Sequence, residues 1–76
     1  MEEEKYSEAQ LSAAFDLVAD KENWQLPIQA VVPADADQDL IREAVVYYTG
    51  SVAYFMPQDD GSWLVIADGY YLKMVH

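Results

Sequence analysis

The chain has 76 residues and no cysteine, so it has room for one small domain and must hold that domain without disulfides or a thiolate metal site. An apolar share of 53% suffices for a core and exceeds what a disordered acidic tail would show. Fourteen Asp and Glu against four Lys and Arg leave a formal charge of −10, which argues against nucleic acid or an anionic membrane as direct partners, since both would be repelled.

Residues 1–5, Met1-Glu2-Glu3-Glu4-Lys5, read as a flexible acidic leader ahead of a single domain over 6–76. That leader is acidic where a targeting peptide is basic. The longest apolar runs, 52–56 and 63–67, are five residues long, against about 20 for a membrane span. The expectation is a cytoplasmic protein with no membrane partner.

Ser7-Glu8-Ala9-Gln10 fits a capping box, with Tyr6 and Leu11 at the staple positions that flank it. Leu11, Ala14, Phe15 and Val18 recur at helical spacing, predicting a helix that stops near Glu22-Asn23. Pro27 and Pro33 then bracket Ile28, Ala30, Val31 and Val32 in an ordered linker, where Pro27 could open a short helix, while the alternation of Ile28, Ala30 and Val32 slightly favours a short edge strand at 28–32. A second helix is predicted from Asp35 or Asp37 to Thr49, with Gly50 just past its end.

The last third predicts three antiparallel strands, 51–56, 62–67 and 70–75, joined by the turn Gln58-Asp59-Asp60-Gly61, which carries an Asp-Gly hairpin signal, and by a two-residue turn of the same kind at Asp68-Gly69. The expected fold class is α+β: two helices on a three-stranded antiparallel meander, with 28–32 as a fourth short strand. Alternation puts Ala53, Phe55, Leu64, Ile66, Leu72 and Met74 toward the helices, and Tyr54, Trp63, Val65, Tyr71 and Lys73 on the other side.

No catalytic constellation is legible, and no enzyme is expected. The one histidine is His76, and no serine sits in a strand-turn-helix elbow. Asp35-Ala36-Asp37-Gln38-Asp39 begins like a calcium loop, but the sixth position is Leu40 and the twelfth Val46, so these aspartates read as helix caps. No metal and no cofactor is expected.

The carboxylate spacing is the most informative pattern. Glu8, Asp16 and Asp20 fall along one side of the first predicted helix; Asp35, Asp39 and Glu43 follow at steps of four along the second. Residues four apart on a helix stand about 5–6 Å from one another, comparable with phosphates that rise about 3.4 Å per nucleotide along a strand. Two such rows would present a phosphate-like pattern to a basic groove; the plainer reading is a solvated polar face. The aromatic sheet face has two readings as well. Tyr54, Trp63, Val65 and Tyr71 are either cross-strand packing under cover, or a patch that binds a partner or a second copy of the chain.

A short, cysteine-free, strongly acidic chain with the leader Glu2-Glu3-Glu4 and carboxylates along its helices resembles phage-encoded inhibitor proteins, including anti-CRISPR proteins and DNA mimics. The resemblance lies in overall character and implies stoichiometric binding to a basic nucleic-acid-handling protein, without catalysis or cofactor. The alternative is a small interaction domain that binds or homodimerises through its aromatic sheet face.

Overall fold

In a computed structural model, residues 6–69 are described. Two helices and three strands follow in the order α1 (Glu8–Phe15), β1 (Ile28–Val32), α2 (Gln38–Thr49), β2 (Tyr54–Pro57) and β3 (Trp63–Ala67). The class is α+β, and the three strands form one antiparallel sheet in the order β1-β3-β2.

Helix α1 starts as its sequence dictates. The Gln10 backbone N–H donates to Ser7 Oγ at 3.1 Å and the Ser7 N–H donates to Gln10 Oε1 at 2.8 Å, closing the capping box. The helix stops at Phe15, short of the expected end near Glu22-Asn23. Beyond it the Leu17 and Val18 N–H groups donate to the carbonyls of Ala14 and Phe15, three residues back, so the chain tightens into turns. The Asp20 carboxylate accepts from the Glu22 N–H at 3.0 Å, a local bond that competes with helix continuation. Val18 remains buried in those turns, so the apolar spacing survives although the helix does not.

Helix α2 is capped by Asp37, whose carboxylate accepts from the Leu40 N–H at 3.2 Å. It ends at Gly50, whose φ of 76° is the left-handed conformation in which a residue with a Cβ is strained. Phe15 on α1 stacks on Tyr48 of α2 with ring centroids 4.7 Å apart, and Trp24 meets Phe15 edge-on at 6.4 Å.

The sheet differs from the expected meander in membership. Strand β3 has β1 on one side and β2 on the other, so the 28–32 segment is the third strand of the described sheet. The expected strand at 70–75 lies outside the described residues. Pro27 and Pro33 fall just outside β1, where neither removes a ladder hydrogen bond.

The hairpin between β2 and β3 sets which side chains face the helices. Gln58 N–H donates to the Ser62 carbonyl at 2.9 Å and Gly61 N–H to the Gln58 carbonyl at 3.0 Å, enclosing the three-residue loop Asp59-Asp60-Gly61. Gly61 takes φ 93° there, as the last residue of such a loop must. A two-residue Asp-Gly turn would shift the pairing by one residue and flip every side chain of one strand. With the longer loop, Phe55 pairs with Val65 and Tyr54 with Ile66.

The helix-facing side is therefore Ile28, Ala30 and Val32, then Trp63, Val65 and Ala67, then Phe55. Leu64 and Ile66 point the other way, and their expected packing against the helices is overturned by this register. Gly61 has open space where a Cβ would go, so Gly61→Ala isolates conformational strain. It should cost about 1 kcal/mol, read from urea unfolding, with the hairpin intact.

Candidate functional site

The six carboxylates read as two rows fall into separate local structures. Glu8 stands in the first turn of α1 and accepts from the Tyr47 hydroxyl on α2 at 3.3 Å. Asp16 caps the C-terminus of α1 and takes both oxygens to Lys21 Nζ at 2.9 Å. Asp20 lies in the turns beyond the helix. Asp35 precedes the Asp37 cap, outside α2. Only Asp39 and Glu43 keep a four-residue helical step, and Asp39 is bound to Arg42 at 2.9 Å. The straight carboxylate ladder is thus overturned: α1 ends too early and α2 begins too late to hold it.

Lys21 and Arg42 are the only basic residues between positions 6 and 69, and each is already in an ion pair. The hydrogen bond and charge of Asp16 raise the Lys21 pKa. Arg42 also lies 5.1 Å from the centroid of the Phe55 ring, so it sits on the helix side of the sheet. Neither cation is available to the remaining carboxylates.

Two acidic segments leave the sheet at the same end. Val32 pairs with Trp63, so the chain leaving β1 and the β2–β3 hairpin share that end. Asp35 and Asp37 arrive with the first, Asp59 and Asp60 with the second. Asp60 Oδ1 accepts from the Ser62 hydroxyl at 2.6 Å and from its N–H at 2.9 Å. The hydroxyl bond, then the backbone bond, hold the Asp60 carboxyl below the ordinary aspartate value.

A group whose pKa is lowered on folding contributes stability that is present above its unfolded pKa and is lost as pH falls through the folded one. Ser62→Ala should therefore move the Asp60 titration to higher pH, seen in its carboxyl carbon NMR shift. Among the described residues no group of three or more His, Cys, Asp or Glu side chains converges enough to hold a metal ion.

The aromatic face is also redistributed. Val65 is fully buried and Trp63 packs against the core, both on the helix side. Tyr54 is exposed on the opposite side, and Tyr71 lies outside the described residues. The one-residue difference in hairpin loop length accounts for the separation.

What occupies the outer side instead is aliphatic. Val31, Leu64 and Met56 line up across the three strands, and beside them Ile66 stands between Gln29 and Tyr54. Val31 is 60% exposed and Met56 48%. The signal for this face is the unbroken run Trp63-Leu64-Val65-Ile66-Ala67, since a strand apolar at every position has two apolar faces. Next to it, Val31, Pro57, Gln58, Asp59, Asp60 and Ser62 line a recess of about 430 Å³, where the aliphatic face meets the acidic end.

No helix among the described residues is long and apolar enough to cross a membrane. Compared with known proteins, the chain matches no family model, no curated protein and no solved structure.

Proposed function

We propose that this protein is a non-enzymatic, cytoplasmic acidic ligand that binds and inhibits a basic nucleic-acid-handling protein. The carrying observation is the −10 charge together with the pairing of Lys21 and Arg42 to Asp16 and Asp39. With those cations engaged locally, the aspartates around the hairpin and just before α2 have no ion pair among the described residues, and a basic surface would relieve their field. The phosphate-like element of this reading rests on aspartates carried by two loops, the β1–α2 connection and the β2–β3 hairpin, in place of helical rows. In overall character the chain resembles phage-encoded anti-CRISPR and DNA-mimic inhibitor proteins.

Capture of partners from a cell lysate on the immobilised chain, eluted along a salt gradient, tests the reading. Basic nucleic-acid-binding proteins should be recovered, should elute as salt rises, and should be displaced by duplex DNA. Recovery of neutral or acidic partners alone, held equally well at high salt and indifferent to DNA, would sink it.

A further inference from the structure

We infer that the outer sheet face is the place where the basic partner docks, and that it receives a segment carrying aliphatic side chains flanked by arginine or lysine. This inference rests on the function proposed above and adds a location and a chemistry to it. Val31, Met56, Leu64 and Ile66 form an aliphatic strip across three strands, on the side away from both helices. The strip opens at one end onto the recess beside Asp59 and Asp60.

Charge complementarity selects the occupant. The basic residues between positions 6 and 69 are engaged elsewhere, Lys21 with Asp16 and Arg42 with Asp39 and Phe55 on the helix side. An incoming segment that covers the strip thus brings one end toward Asp59 and Asp60 and meets no described cation on that face. Arginine or lysine beside an aliphatic residue matches both features at once.

Size argues against a second copy. Three strands about 4.8 Å apart, two of five residues and one of four, at about 3.3 Å per residue span on the order of 200 Å² in plan. A stable dimer needs about 800 Å² per partner. Two chains of charge −10 would also repel on approach. A short segment of a larger basic protein fits the strip and relieves the charge.

The test uses the full chain, isotope-labelled, with two synthetic peptides of equal length and charge: one alternates leucine and arginine, the other serine and arginine. The leucine peptide should bind at least tenfold tighter and should shift the amides of Val31, Met56, Leu64 and Ile66. The double variant V31N/M56Q, both at exposed positions, should fold normally by circular dichroism and lose that tenfold preference.

Equal, salt-sensitive binding of both peptides would overturn the docking site and leave the charge-based function standing. Binding of neither would remove the function along with it. Two results on the free full chain would also overturn the inference. One is a dimer in sedimentation that V31N/M56Q abolishes, which gives the strip to a second copy. The other is a set of nuclear Overhauser contacts from the Val31, Leu64 and Ile66 methyls to residues 70–76, which gives it to the chain itself.

Discussion

Val65→Asp should leave the protein unfolded at neutral pH, whereas Leu64→Asp, one residue earlier, should still fold. Val65 has no solvent exposure and sits on the central strand between Ala30 and Phe55. A carboxylate there has no water, and burying it costs several kcal/mol, unless it stays protonated. A chain of 76 residues has about 4–11 kcal/mol of stability in all, at about 0.05–0.15 kcal/mol per residue. Leu64 points to the outer face beside Val31 and Met56, where aspartate costs about 1–2 kcal/mol through lost cross-strand contact and poor strand propensity. Far-ultraviolet circular dichroism with urea titration separates the cases. The opposite order of effects would restore the two-residue hairpin and the face assignment that goes with it.

Phe15→Ala should have the next largest effect, about 3–5 kcal/mol. The ring is fully buried, stacks on Tyr48 and receives the edge of Trp24, so one truncation loosens α1, α2 and the α1–β1 connection together. Urea unfolding followed by tryptophan fluorescence should show a midpoint near the start of the titration. A loss below about 1 kcal/mol would mean that the helices hold the sheet without this aromatic contact.

Local signals carried the helix starts. Ser7 with Gln10, and Asp37 with Leu40, act through bonds within one turn, and such bonds are written in neighbouring residues. Strand pairing is different. The alternation at Ile28, Ala30 and Val32 marks a strand, but nothing local says that it lies against residues 63–67. Loop length at the hairpin turned on whether Asp59 joins the turn, and that one residue moved Trp63 and Val65 from the expected binding face into the core.

The candidate site was legible as charge and illegible as geometry. Composition shows that the surface is acidic; it cannot show that Asp16 and Asp39 are spent on Lys21 and Arg42, or that Asp20 and Asp35 leave the helices. The aliphatic outer face had a signal in the five apolar residues of β3, and strict alternation concealed it by assigning half of them to the core.

The strand order has a consequence for how the protein is made. The central strand is the last of the three in the chain, and both edge strands depend on it. While a ribosome is still extending the chain toward Trp63, β1 and β2 have no partner to pair with, since neither neighbours the other. Ile28 must wait for Ala67, a contact of high sequence separation, and such contacts slow the search for the native state. Assembly of the sheet is thus a single late event, and a nascent chain halted before β3 would carry two strands' worth of unpaired backbone into contact with chaperones or other chains.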